Sequence, residues 1–507
     1  MNDQYDLVIV GGGINGCGIA RDAAGRGLKV LLVEQGDIAQ ATSSGSSKLI
    51  HGGLRYLEQY EFCLVREALQ EREVLLRIAP HIIHPLEFIL PHDDSMRPAW
   101  MLRVGLWIYD HLGGKISLPS SHGVNLRDTP FGAGLREGLR RGFVYSDARV
   151  DDARLTLLNA LAAREHGAEV LTRTRCIAGR RGAGHWEIML RDTVSWGERI
   201  VQARGVVNAA GPWVMSLLDE ALHVSLPATV RLVKGSHIVV PRVHDGKHAC
   251  ILQNDDRRVT FIIPFEERFS LIGTTDVTIA TVEEASAITP QEIAYLIRAA
   301  NRALAQPIAE RDVVWSYSAV RPLYDDGSAD PSQITRDYVL KVDAQDGGLP
   351  LLSVFGGKIT TYRRLAEHAL HELAPFYPEM KPSWSSGEAL PGGDFDDASV
   401  ELAKLHARYA LLPGDYLAKL FARHGTRTPR VLGDAATLDA LNPFFGNGAN
   451  LLAAREIDYL VREEWAREAD DILWRRTKCG LHMTTTEREA AADCIRQSVA
   501  RLGSTGA

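Results

Sequence analysis

Short apolar runs alternate with amphipathic stretches from the first residues of the chain. Tyr5-Asp6-Leu7-Val8-Ile9-Val10 reads as a short buried strand. Helical spacing follows through Ile19, Ala20, Ala23 and Ala24, so a helix is predicted to end at Gly25 or Gly27. A second apolar run, Lys29 to Val33, predicts a strand that closes on Glu34. The rhythm returns at Asp151 to Gly167, where Leu155, Leu158, Leu161 and Ala162 share one helical face. A strand-like Glu169-Val170-Leu171 comes next, and Gly205-Val206-Val207-Asn208 reads as another buried strand. Between about 225 and 345 the pattern changes. Val259-Thr260-Phe261-Ile262-Ile263 and Phe269-Ser270-Leu271-Ile272, joined through Pro264 and Glu266-Glu267, suit an antiparallel sheet. Pro375 to Phe395 reads as a linker. Beyond it, Val400 to Arg408, Tyr416 to Arg423 and Glu456 to Arg467 are expected to be helical, and Ile457, Leu460, Val461 and Trp465 form one core-facing stripe. The predicted class is α/β + α.

Between the first strand and helix lies Gly11-Gly12-Gly13-Ile14-Asn15-Gly16, which satisfies G-x-G-x-x-G. Gly11 allows the tight turn, Gly13 lets backbone approach a pyrophosphate, and Gly16 lets helix and strand pack closely. Free N–H groups at the helix start then stabilise diphosphate charge. Glu34 stands where an acid accepts hydrogen bonds from an adenosine ribose, and it would repel a 2′-phosphate, which disfavours NADP. An adenine dinucleotide is expected. The pattern alone leaves FAD and NAD open; its place at the extreme N-terminus leans toward FAD by fold-level association only.

Composition narrows the partners. The 507 residues suggest two or three domains, and a net charge of −7 offers no polycation to nucleic acid. Any anion must be held by a local cluster. Cys17, Cys63, Cys176, Cys250, Cys479 and Cys494 include no C-x-x-C pair, which argues against a zinc site or a disulfide framework and fits a reducing cytosol. No metal site is read. A strand begins almost at once, so no secretory signal is expected, and no apolar run reaches the ~18–20 residues that span a bilayer.

Ala41 to Leu57 is rich in small hydroxyl residues and glycines, with His51, Arg55 and Tyr56 close behind. Such side chains let backbone lie against a flat ligand and supply donors for phosphate or ribityl oxygens; a solvated loop is the blander reading. The stretch from Ala41 to Arg66, together with Gly11 to Gly18, resembles the FAD-dependent glycerol-3-phosphate dehydrogenases of the aerobic respiratory type. Asn208 to Trp213, Lys234-Gly235-Ser236-His237, Ile272 to Asp276, Ser353 to Arg363 and Asp471 to Lys478 carry the same resemblance over nearly the whole chain. It is nearest to bacterial members, and no EF-hand loop appears.

The resemblance implies a Rossmann-like FAD-binding domain of the D-amino-acid-oxidase type (1–80, 145–225 and 345–375). A substrate-binding antiparallel sheet (81–144 and 226–344) and a helical C-terminal cap (396–507) complete the expected division. FAD contacts are expected at Gly11, Gly13, Ile14, Asn15 and Gly16, at Glu34 and Gln35, and along Thr42, Ser43, Ser44, Ser47, Lys48 and Leu49. Further contacts are expected at Ala210, Gly211 and Trp213, and at Gly357, Lys358, Ile359 and Thr360. The implied reaction takes a hydride from C2 of sn-glycerol 3-phosphate to the flavin, giving dihydroxyacetone phosphate. Arg55, Arg321 and Arg336 are candidates for the phosphate clamp, with Tyr56 beside them. His237 and His51 are candidate proton acceptors, His237 preferred, while Lys358 could polarise the C2 oxygen or neutralise the reduced flavin. Arg55 also counts among the catalytic candidates.

The family passes electrons to membrane quinone, which implies a cytoplasmic protein attached peripherally to the anionic inner face of the cytoplasmic membrane. Arg97 to Tyr109 has the two Trp, one Tyr and basic residues of an interfacial helix, though a core helix accounts for it as well. An oxygen-using glycerol-3-phosphate or amine oxidase is the rival enzyme, and an amine oxidase would not require an arginine clamp. A non-catalytic FAD-binding regulator and an NAD-linked dehydrogenase also compete with it. The oligomeric state stays open, a homodimer included.

Overall fold

The computed structural model describes residues 3–93, 97–256, 258–285, 287–325, 337–344, 348–435 and 437–502. The first sheet is built on the opening strand, Gln4–Val10, which pairs in parallel with Val30–Val33 on one side and Glu198–Asn208 on the other. Glu169–Leu171 and Leu351–Phe355 extend it in parallel, Val339–Asp343 adds an antiparallel edge, and the Thr174–Arg181 and Trp186–Asp192 hairpin leans on Glu198–Asn208. Both faces are covered, and so Val30–Val33 is apolar and buried at every position. The Ile14–Gly25 helix lies on one face between the Asp152–Glu165 and Tyr362–Leu373 helices. Gly18 allows that approach, because a Cβ there would stand 2.7 Å from the ring of Tyr362.

The second sheet runs in the order Val277–Ile279, Thr229–Pro241, Phe269–Gly273, Val259–Phe265, Ala249–Gln253, Ile83–His92, Arg141–Val150 and Leu49–Ile50. Trp315–Asp325 also pairs with Thr229–Pro241 along its whole length. The turn expected at Glu266-Glu267 is present, both residues having left-handed backbone, but Pro264 lies inside a strand opposite Ser270. The anticipated boundary at 144/145 falls within Arg141–Val150, which crosses the second sheet, and Val339–Asp343 belongs to the first. Sheet membership follows backbone pairing, which apolarity along a strand does not encode.

The C-terminal part has its own core around Leu417, Leu420, Leu432, Ile457 and Leu460. Its helices Ala398–Arg408 and Gly414–His424 match expectation. The third, Ala454–Glu463, stops four residues short of the predicted end at Arg467, because Trp465 adopts a left-handed backbone (φ 56°). Ile457, Leu460 and Val461 face the C-terminal core, whereas Trp465 packs against the core of the first domain. One predicted stripe thus serves two cores.

Charges close the seam between these units. Asp37, just past the second strand, is fully buried and takes two bonds from the Arg476 guanidinium (2.8 Å to Oδ1) and one from Arg475 (2.6 Å). Arg173 holds Asp471 at 3.0 Å, and Arg154 holds Glu464 at 2.5 Å. Removing one member of a buried pair strands the other in low dielectric. Arg476→Ala is therefore expected to lower unfolding free energy by about 3 kcal/mol, read by urea denaturation, and adding Asp37→Asn should recover part of the loss. A loss in Arg476→Ala no larger than a surface substitution gives would show that the seam carries no such load.

Candidate active site

The glycine turn is shaped as its sequence demands. Gly11 takes φ +118°, and a Cβ on Gly16 would lie 1.9 Å from the Gly11 carbonyl oxygen. Helix Ile14–Gly25 has no capping side chain of its own, as Gly13 occupies the cap position. Instead the Ile14 N–H donates to Ser43 Oγ at 2.9 Å, which brings the hydroxyl-rich loop onto the helix N-terminus. Glu34 accepts from the Gly12 N–H at 2.6 Å and the Gly36 N–H at 2.8 Å. Burial pushes its carboxyl up, opposed by those two donors. Each oxygen keeps a second lone pair for a ribose hydroxyl. Gln35 beside it is exposed.

The other strand ends converge here. A Cβ on Gly11 would meet the Ala209 carbonyl at 2.4 Å, so Ala210, Gly211 and the half-buried Trp213 border the turn. Asn15 donates to the Gly356 carbonyl at 3.1 Å, while its Oδ1 is buried without a partner. Gly357, at φ +98°, has room for no side chain beside Asn15. Ile359 packs on the first core, and Thr360 Oγ1 accepts from the His51 N–H at 3.3 Å. A side-chain-free cradle, a helix start whose cap residue is glycine, an acid at the second strand and an unpartnered amide oxygen fit a dinucleotide.

The hydroxyl loop is also tied to the second sheet. Thr42 Oγ1 donates to the Val320 carbonyl (2.6 Å), Ser44 Oγ to Ala41 (3.3 Å), and Ser47 Oγ pairs with His237 Nε2 (2.9 Å). Lys48 buries its ammonium against Asp152 (2.7 Å) and the Ser44 carbonyl (2.9 Å), and Leu49 points into the core of the second sheet. These side chains mainly brace the loop against the second sheet, because a buried lysine and buried hydroxyls must find partners inside. Ser43 is the member of the loop whose hydroxyl meets the glycine turn.

The facing wall of the site is a row across the second sheet. Strand register sets Tyr317 opposite His237, His237 opposite Gly273, and Gly273 opposite Phe261. Residues directly opposite share a face. His237 stacks on Tyr317 (centroids 4.9 Å, 19°) and leans over Gly273, where a Cβ would be 2.0 Å from its ring. Arg321 shares that face; its guanidinium contacts Asp276 at 3.0 Å and the Thr275 carbonyl at 3.3 Å. From the loop side, the His51 ring lies 6.4 Å from Phe261, and Lys358 Nζ sits 4.0 Å over the ring of Tyr56. Arg55 is exposed and has no charge partner among the described residues, and Arg336 lies outside them.

Several participants carry no sequence motif. Behind His51, the Gly52 N–H donates to Tyr109 OH (2.8 Å), which bonds Asp147, itself paired with buried Arg72 at 2.7 Å. Asp152 and Tyr317 clamp the hydroxyl loop, Tyr317 donating to the Ser46 carbonyl at 2.8 Å. Of these, only Asp151-Asp152 before an amphipathic stretch had a readable signal, that of a helix start.

Burial lowers both imidazoles and so favours their neutral form. His237 is pushed down to about 3 by burial and by the charges of Lys48 and Arg321. His51 is lowered by burial, with Asp147 favouring its protonation and Lys358 opposing it. Asp147 thus partly offsets the burial of His51, whereas the charges near His237 add to its burial.

Residues 6–363 match the family described as FAD dependent oxidoreductase, and residues 385–505 match the C-terminal domain of alpha-glycerophosphate oxidase. Fold and cradle thus define an FAD-dependent oxidoreductase, and FAD is its cofactor. The chain is 51% identical to the aerobic glycerol-3-phosphate dehydrogenase of Escherichia coli (97% of each chain) and 49% identical to the D-erythritol 1-phosphate dehydrogenase of Brucella abortus (96% and 97%). The crystal structure of the glycerol-3-phosphate dehydrogenase from Bacillus halodurans complexed with FAD superposes with a TM-score of 0.76 at 25% identity, covering 99% of this chain and 91% of that one. The chain belongs to the aerobic glycerol-3-phosphate dehydrogenase family of FAD-dependent oxidoreductases.

Buried neutral histidines set an acid limit. Beside His237, His84 and His482 are held down at about 4, in each case by burial first and by neighbouring cations second. Unfolded, each takes a proton near ~6.5; folded, none does until about 3 to 4. The unfolded state thus binds more protons in between, and this stability is whole above the unfolded value and lost as pH falls toward the folded ones. The melting temperature should drop between about pH 7 and pH 5, before ordinary carboxylates titrate. A flat profile there would contradict neutral burial.

Proposed function

We propose that the chain oxidises sn-glycerol 3-phosphate to dihydroxyacetone phosphate, with the electrons leaving bound FAD for membrane quinone. The observation that carries this reading is Arg321 on the same sheet face as His237, across the hydroxyl loop from the glycine turn. Bound FAD supplies the hydride acceptor. Arg321, a half-exposed cation of that face, takes the phosphate by charge-assisted bonds in exchange for part of its contact with Asp276. His51 accepts the hydroxyl proton, while His237, tied to Ser47, fixes the polyol beside Gly273. The phosphate's own charge offsets Lys358 near His51 and so raises the basicity of the imidazole as the substrate enters. Lys358, over Tyr56, stabilises negative charge on the C2 oxygen.

A longer polyol phosphate is the second reading, favoured by the D-erythritol 1-phosphate relative and by Gly235 and Gly273, which leave the site floor without side chains. Anaerobic addition of glycerol 3-phosphate is expected to bleach the flavin absorbance; bleaching by erythritol phosphate alone would select the second reading, and bleaching by neither would end both. Arg321→Ala should raise KM about ten- to a hundredfold, from loss of charge-assisted bonds worth ~1.5–3 kcal/mol. Peroxide formed in step with turnover in air would instead identify an oxygen-using oxidase.

Attachment to the membrane rests on the Ala99–Leu112 helix, which turns Trp100 (67% exposed), Met101, Val104 and Trp107 (61%) to solvent. Only Leu106 and Tyr109 of this helix are buried. Tyr60 (81% exposed) stands on the neighbouring segment, to which Arg97 is tied through Glu58. Among the described residues no helix is long and apolar enough to cross a membrane. The protein should float with anionic liposomes, and a Trp100→Ala, Trp107→Ala double variant should stay behind with its turnover in detergent intact. Equal flotation of the two would remove this helix from the contact.

A further inference from the structure

Residues 242–248 connect the Thr229–Pro241 and Ala249–Gln253 strands of the second sheet. One guanidinium shapes this connection. Arg242 donates to the carbonyls of His244 (2.8 Å), Asp245 (3.1 Å), Gly246 (2.9 Å) and Glu267 (2.7 Å). With its carbonyls gathered on Arg242, the loop turns Asp245 and Lys247 to water and His244 and His248 inward. The two rings stack at 4.7 Å and 18° over Gly246, where a Cβ would lie 2.6 Å from one Nδ1 and 3.0 Å from the other. Two residues on, the Cys250 thiol is fully buried. The ligand atoms of His244, His248 and Cys250 all lie within 4.8 Å of one another.

The polar atoms of this cluster are unspent. Both ring nitrogens of His244 and Nε2 of His248 are buried without a hydrogen-bond partner. Buried polar atoms ordinarily find one, so three together call for a ligand. The His248 ring also packs on Phe131, with ring centroids 5.1 Å apart, which holds its orientation in the cluster. Two imidazoles and a thiol suit a borderline cation, and the absence of a carboxylate among them disfavours magnesium or calcium.

We propose that His244, His248 and Cys250 form a zinc(II) site, with water in the fourth position. Binding forms one Zn–S and two Zn–N bonds and releases the thiol proton to solvent, with no change of oxidation state. Tetrahedral zinc places its ligands ~3.3–3.8 Å apart, so side-chain rotations of about 1 Å close the shell. The role is structural. Ile238, Ile272, Ile262 and Cys250 form a row one residue out of step with His237, Gly273 and Phe261, so Cys250 points to the opposite face of the sheet from the candidate active site. The metal would pin a surface loop to the back of the wall that carries His237.

The test uses the FAD-loaded protein, treated with a chelator, loaded with zinc and freed of excess metal before elemental analysis. Wild type is expected to keep about one zinc per chain, and Cys250→Ser and His248→Ala each less than about a tenth of that. Zinc should raise the melting temperature of wild type and not of Cys250→Ser, with the flavin spectrum serving as the folding control. Cobalt(II) in wild type should give ligand-field bands to the red of flavin absorption, which decides the matter even where a variant fails to fold. A wild type that retains no zinc and shows no such bands overturns the proposal. So do folded variants that retain zinc as fully as wild type, which would place the metal elsewhere.

Discussion

Two adjacent carboxylates at the start of the Asp152–Glu165 helix hold the three parts of the molecule in register. Asp152 is fully buried and accepts from Lys48 Nζ, from the amide and hydroxyl of Ser46, and from the Ala153 N–H. Asp151 caps the helix by accepting from the Arg154 N–H and pairs with Lys478 of the C-terminal part. Burial would raise the Asp151 carboxyl, but Lys478, and then Lys48, hold it below the usual range. The helix dipole adds to the same balance. Through Asp152 the hydroxyl loop is fixed, and through that loop Ser43 reaches the glycine turn and Ser47 reaches His237. Cofactor cradle, facing wall and cap thus share one electrostatic anchor.

What the chain disclosed in advance was local. The opening strand, turn, helix and strand could be read because their signals lie within thirty-four residues and each residue type has one task there. The family resemblance carried the cofactor and the class of fold. Long-range register was not legible: His237 and Tyr317 are eighty residues apart, and only the pairing of two long strands stacks their rings. Nor could hydroxyls that meet a ligand be told from hydroxyls that brace a loop, since Thr42 and Ser47 find partners on strands far away in sequence. Arg55 illustrates the converse. Its motif is suggestive, but the short helix that carries it turns it to solvent.

Charge is concentrated in a chain that is acidic overall. Lys48, Arg321 and Lys358 gather near two neutral imidazoles, while Asp152, Asp276 and Asp147 stand behind or beside them. Lys48 is spent within the fold, whereas Arg321 is half-exposed and paired only with a half-exposed Asp276. Because the imidazoles are buried beside these cations, their basicity depends on what occupies the site. A dianion that enters changes the protonation chemistry as well as filling space.

The seam at Asp37 has a consequence for inheritance. The catalytic fold and the C-terminal part correspond to two separately recognised families, joined through the end of the Tyr362–Leu373 helix and the irregular segment after it, which looks an easy place to recombine. Yet Asp37 on one side is matched by Arg475 and Arg476 on the other, Asp151 by Lys478, and Arg154 by Glu464. A hybrid that exchanged one part without its charge partners would bury unmatched ions of both signs. The two parts are therefore expected to change together or not at all, as a lock and its own key do.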